Sequence, residues 1–93
     1  MSFTLKILRE ARKELDKVDN KSLIQIYSHL EELERDPFRP RPAADIIKIK
    51  GNRKPPAYRL RIGRVRVEYL VLEDERQVIV SRIFKRRRGS DYR

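Results

Sequence analysis

The sequence predicts an α+β fold in the order β-α-α-β-β-β-β, an N-terminal strand and a helical hairpin followed by a four-strand antiparallel meander that packs on the helices. Three observations predict it. Apolar residues recur at helical spacing from about residue 8 to residue 35, and at a spacing of two before and after that stretch. The dipeptide Gly63-Arg64 separates two alternating apolar runs, as a tight hairpin turn does. The chain has 93 residues, close to the lower limit for one self-sufficient hydrophobic core, so all elements are expected to share a single domain spanning 1–93.

Phe3, Leu5 and Ile7 alternate with Thr4 and Lys6, the pattern of a half-buried strand at the edge or centre of a sheet. Leu8, Ala11, Leu15 and Val18 then follow helical spacing. Asp19, Asn20 and Ser22 supply a break and N-caps, after which Leu23, Ile26, Tyr27, Leu30 and Leu33 trace one face of a longer helix. Asp36-Pro37 ends it, because proline cannot continue the hydrogen-bond ladder. Pro37, Pro40 and Pro42, interleaved with Arg39 and Arg41, read as an extended connector. Strands are then predicted over 46–50, 57–62, 65–72 and 77–84.

A two-residue turn at Gly63-Arg64 sets a register by counting. Ile62 faces Val65, Leu60 faces Val67 and Tyr58 faces Tyr69 on one side of the hairpin, while Arg61 faces Arg66 and Arg59 faces Glu68 on the other. One side is core and the other is charged. Arginines directly opposite each other repel, so Arg61 and Arg66 either splay into solvent or converge on a bound phosphate. The next loop, 73–76, can close with three or four residues. The two choices turn opposite faces of the last strand inward, which leaves the direction of Arg82 open.

Charge points to a partner. Twenty-four Lys and Arg against 14 Asp and Glu give a net charge of +10. Residues 1–47 carry nine basic and nine acidic side chains, whereas 48–93 carry fifteen and five. Cations concentrated in one half are the footprint of a polyanion-binding surface, since each phosphate they meet releases counterions. Absence of cysteine excludes disulfides, thiolate metal sites and a cysteine nucleophile. With no long apolar run and no signal-peptide core, the chain is expected to be cytoplasmic and without a membrane partner.

The chemistry open to such a chain is narrow. His29 is the only histidine and lies away from the basic half, and Glu73, Asp74 and Glu75 read as solvated turn charges, so neither a metal nor a cofactor is expected. Arginine, lysine and tyrosine must do any phosphodiester chemistry. RNA suits them better than DNA, because its 2′-hydroxyl is a built-in nucleophile. The protein must align the phosphate, stabilise the added charge of the pentacovalent transition state and manage two protons. Arginine forks serve the first two tasks, and a tyrosine can act as base where cations favour its phenolate. The segment 84–93 places Tyr92 six residues beyond Arg86 in a strongly cationic tail, a modest signal by itself, since basic tails with a stray tyrosine usually just bind phosphate.

The stretches Ile47-Lys48-Ile49-Lys50-Gly51, Ala57-Tyr58-Arg59-Leu60-Arg61-Ile62-Gly63, Val65-Arg66-Val67-Glu68-Tyr69 and Lys85-Arg86-Arg87-Arg88-Gly89-Ser90-Asp91-Tyr92, in this order and with these gaps, resemble the RelE toxins of toxin-antitoxin systems. The resemblance implies a metal-independent endoribonuclease that cleaves messenger RNA in the ribosomal A site, with Arg61, Arg66, Arg86 and Tyr92 as catalytic residues. Lys48, Lys50, Arg59, Arg82, Lys85, Arg87 and Arg88 are the expected RNA-binding cations. It also implies an acidic RelB-like antitoxin, the ribosome and mRNA as partners. Two family positions usually occupied by lysine are Arg59 and Arg61 here. Arginine stays protonated, so the base role would fall more heavily on Tyr92. Relatives of this fold that inhibit DNA gyrase lack the catalytic set, and a noncatalytic ParE-like toxin or a basic nucleic-acid-binding module is the alternative reading.

Overall fold

The computed structural model describes residues 2–39, 45–49 and 54–86. The predicted order is met element by element: β1 (Thr4–Ile7), α1 (Arg9–Leu15), α2 (Asn20–Arg35), β2 (Asp45–Lys48), β3 (Ala57–Ile62), β4 (Val65–Leu72) and β5 (Gln77–Lys85). The strands form one sheet in the order β1-β5-β4-β3-β2. Strands β2 to β5 make the antiparallel meander. β1 lies at the edge and runs parallel to β5, with Leu5 beside Val78 and Ile7 beside Val80.

Local sequence explains the helix limits. Asp19 adopts an extended N-cap conformation and its carboxylate accepts from the Ser22 backbone N–H at 3.2 Å. Hydrogen bonds from Ser22 hold the Asp19 carboxyl below the ordinary aspartate range, with a smaller contribution from the Lys85 ammonium. At the other end Asp36 donates its N–H to the Glu32 carbonyl at 3.0 Å, and Pro37 stops the ladder. Leu8 forms the extended cap of α1 instead of a buried helix position, which confines that helix to seven residues with Ala11 and Leu15 inward.

Ile26, Leu30 and Leu33 of α2 pack on Leu60, Val67, Tyr69, Val71, Val78 and Val80 of the sheet. Tyr27 departs from the expected stripe. It follows Ile26 by about 100° around the helix, which carries it off the face that meets the sheet, and it is 41% exposed.

The β3–β4 hairpin has the counted register at every pair, including Arg61 opposite Arg66 and Arg59 opposite Glu68. Gly63 adopts φ +58°, and a Cβ there would meet nothing within 4 Å. The turn therefore needs glycine for its backbone angle and not for space.

The last strand owes its facing to a bulge. Leu72 pairs with Gln77, so the preceding loop closes with four residues, and continuing that register would turn Arg82 into the core beside Val80. Between Glu68 and Tyr69 the register shifts: Tyr69 faces Val80, Glu68 faces Arg82, and Ser81 is the extra residue. Its hydroxyl donates to the Glu68 carbonyl at 3.2 Å. Val78, Val80 and Ile83 are consequently buried, while Arg82 turns to the opposite face and is exposed.

An aromatic string ties the end of α2 to the sheet. Phe38 meets Phe3 and Tyr58 edge-on, Tyr58 stacks on Tyr69 with centroids 5.7 Å apart, and the Arg76 guanidinium lies 4.3 Å from the Phe3 centroid. Tyr69 is fully buried and its hydroxyl donates to the Pro37 carbonyl at 2.6 Å. Tyr69→Phe keeps the stacking but leaves that buried carbonyl without this donor. The expected loss is about 1–2 kcal/mol, read in thermal unfolding as a drop of about 4–8 °C per kcal/mol. An unchanged midpoint would show that the bond contributes nothing net.

Candidate functional site

Strand alternation builds the site. The sheet face turned away from the helices receives every second side chain: Arg59 and Arg61 from β3, Arg66 and Glu68 from β4, Arg82 from β5, and Asp45 and Ile47 from β2. The Arg86 N–H donates to the Arg64 carbonyl at 2.7 Å, which extends the β4–β5 ladder one residue past the strand. A groove of about 410 Å³ lies on this face, lined by Asp45, Ile46, Ile47, Arg59, Arg61, Arg66 and Arg86.

Defined partners orient the side chains of Arg59, Arg82, Arg61 and Arg66. Arg59 donates through Nε and Nη2 to one oxygen of Glu68, at 3.2 and 2.8 Å. The other Glu68 oxygen lies 3.7 Å from Arg82 Nη1, and the Arg82 guanidinium is 4.5 Å from the Phe84 centroid. Arg61 pairs with Asp45, its neighbour across the β2–β3 ladder. Arg66 is only 8% exposed and donates from Nη1 to the carbonyls of Gly63 at 2.8 Å and Val65 at 3.3 Å.

Arg61 and Arg66 thus resolve their repulsion by parting toward separate acceptors, Arg61 to a carboxylate on β2 and Arg66 back along its own hairpin. Hydrogen bonds to carbonyls make the burial of Arg66 tolerable. A guanidinium has five N–H donors, so a fork held at one edge can still offer others to a phosphate. The groove can hold a polyanion and stabilise charge that develops on it.

Of the expected site residues, Arg59, Arg61, Arg66 and Arg86 line the groove, and Arg82 stands on the same face through its contact with Glu68. Lys48 and Lys85 do not join them. Lys48 pairs with Tyr58 and Lys85 with Val65, both in the helix-side phase of the alternation. Lys85 there lines a separate concavity with Lys17, Asp19 and Ser22. Lys50, Arg87, Arg88 and Tyr92 lie outside the described residues. Sequence reasoning missed Asp45, which precedes the predicted start of its strand and whose partner becomes known only from the β2–β3 register.

Among the described residues no His, Cys, Asp or Glu side chains gather in a group of three or more that could hold a metal ion. No helix among them is long and apolar enough to cross a membrane.

Comparison with known proteins places this geometry. Residues 5–89 match the family model described as the ParE toxin of the type II toxin-antitoxin system parDE. The RelE1 protein of Methanocaldococcus jannaschii is 34% identical over 86 residues, which cover 92% of each chain. In the archaeal RelE–RelB complex of Pyrococcus horikoshii, a chain 27% identical superposes with a TM-score of 0.83 over 96% of this chain and all of that one. A chain of the RelBE2 toxin-antitoxin complex of Mycobacterium tuberculosis, 20% identical, shares the fold with a TM-score of 0.72 over 92% of this chain and all of that one.

Proposed function

Because the chain belongs to the RelE/ParE family and is a toxin of a type II toxin-antitoxin system, we propose that its arginine groove cleaves messenger RNA in the ribosomal A site. The observation that carries this reading is the convergence of Arg59, Arg61, Arg66 and Arg86 on one open groove. Cleavage runs through the RNA itself: the 2′-oxygen attacks the adjacent phosphorus, and the chain breaks at the 5′-oxygen of the next nucleotide. Arg61, Arg66 and Arg86 hold the phosphate and stabilise the charge that builds on it in the transition state. Arg59 and Arg82 are held on Glu68 and extend the cationic surface along the message. Tyr92 is the further catalytic residue that the resemblance assigns, and Lys50, Arg87 and Arg88 add to RNA binding.

The partner proposed for the resting state is an acidic RelB-like antitoxin, by analogy with the RelB chains of the archaeal and mycobacterial complexes. Its carboxylates would meet the same arginines as RNA does, so its grip on this face should weaken with salt.

The family model carries the description of ParE, which favours a second reading, a gyrase inhibitor that leaves RNA intact. Product chemistry separates the two. In a translation reaction, the toxin is expected to cut the translated message and leave 2′,3′-cyclic phosphate and 5′-hydroxyl ends, while gyrase supercoils DNA normally in its presence. An intact message together with arrested supercoiling would overturn the nuclease reading.

A further inference from the structure

Attack by a 2′-hydroxyl requires a group that removes its proton. Four of the side chains lining the groove are arginines, which do not give up their protons in proteins, and two are isoleucines. Asp45 is the remaining lining residue and, among the described ones, the one able to accept a proton. We propose that Asp45 is the general base of RNA cleavage, an assignment that rests on the nuclease reading above.

The surrounding geometry suits the role. Asp45 opens β2 directly opposite Arg61 of β3, and its Oδ2 accepts from Arg61 Nη2. The two side chains are 52% and 56% exposed, so a nucleic acid can reach both. The charged groups that share the groove with Asp45 are Arg59 and Arg61 from β3, Arg66 from β4 and Arg86 beyond β5, all cations. A planar guanidinium that gives one edge to Asp45 has further donors for a non-bridging phosphate oxygen. Carboxylate and phosphate can then share one fork, and the ribose 2′-oxygen, joined to that phosphorus through C2′, C3′ and O3′, comes within reach of the carboxylate. Glu68, the other carboxylate of this face, is not available. Its side chain is 14% exposed, with one oxygen held by Arg59 and the other facing Arg82.

The step balances as follows. Asp45 takes the proton of the 2′-hydroxyl, the 2′-oxygen bonds to phosphorus, and the bond from phosphorus to the 5′-oxygen breaks. The departing oxygen takes a proton from water, leaving hydroxide, and the protonated Asp45 returns its proton to that hydroxide. The products are a 2′,3′-cyclic phosphate and a 5′-hydroxyl. This assignment moves the base role from the tyrosine tail to the sheet.

Single-turnover cleavage of ribosome-bound message, measured beside ribosome binding, tests it. Asp45→Asn keeps the shape of the side chain but not its basicity, and is expected to slow cleavage about 100-fold or more with binding retained. Asp45→Ala should be similarly slow and should regain part of its rate on addition of formate, a diffusible carboxylate. A residue that merely positions Arg61 would not give that rescue. Cleavage by Asp45→Asn within threefold of wild type, or faster than wild type, would overturn the assignment while leaving the nuclease reading intact. So would an Asp45→Ala rate that formate does not move. Wild-type protein that leaves the message whole would instead overturn the nuclease reading, and Asp45 as base with it.

Discussion

If the groove cleaves RNA as proposed, Arg86→Ala is expected to slow the chemical step about 100-fold or more, because it removes one of the guanidinium groups lining the groove that would stabilise charge developing in the transition state. Its neighbour provides the control. Lys85 has the same charge one residue earlier, yet it pairs with Val65 in the helix-side phase and lies beside Asp19, whereas Arg86 lines the groove. If the basic tail acted only by attracting phosphates, the two replacements would weaken binding alike, each flattening the salt dependence by about one phosphate contact. Strand alternation predicts a different result. Lys85→Ala should cleave within a few-fold of wild type, and Arg86→Ala should bind ribosomes and fail in the chemistry. Rates and binding measured on the same ribosomes decide, and equal losses in the two variants would refute the placement of Arg86 in the reaction.

Insertion of one alanine between Ser81 and Arg82 is expected to abolish the cooperative fold, whereas deletion of Ser81 would leave Arg82 opposite Glu68 and Ile83 opposite Val67. In the insertion variant, with the bulge holding its one extra residue, Glu68 would face the inserted alanine, which would direct Arg82 inward opposite Val67 and turn Ile83 out of the core. Exposing Ile83 loses about 1.5–3 kcal/mol, and burying an unpaired guanidinium costs several more. A domain of this size has about 5–15 kcal/mol in all. Ser81→Ala keeps the extra residue and loses only the hydroxyl bond to the Glu68 carbonyl, about 1 kcal/mol. Circular dichroism during heating separates the two cases. An insertion variant that melted at the wild-type temperature would show that the bulge absorbs a second extra residue.

The contrast between the two hairpins shows what a sequence can specify. Gly63-Arg64 is a turn of known length with a residue suited to positive φ, so counting outward gives the β3–β4 register and brings Arg59, Arg61 and Arg66 to one face. Around β5 counting fails, because Ser81 carries no mark of being an extra residue and its insertion reverses the alternation halfway along the strand. Likewise the long connection from β2 to β3 has no countable turn, and the Asp45–Arg61 pair appears only once the strands are placed. The contrast between Lys85 and Arg86 is another such case. Composition treats them as one basic cluster, and it is the ladder that assigns them to opposite faces.

The parallel pairing of β1 with β5 also governs when the protein can exist. Thr4 lies beside Gln77 and Ile7 beside Val80, so β1 waits for β5 before it has a strand to pair with. Contacts that span almost a whole chain form late, because they require closing the largest loop. During synthesis β1 and the helices leave the ribosome without the strand that β1 pairs with, and Arg86, which completes the groove, emerges after β5. A nascent copy therefore lacks the arginine groove, and the surface of the toxin is complete only when the whole sheet has assembled.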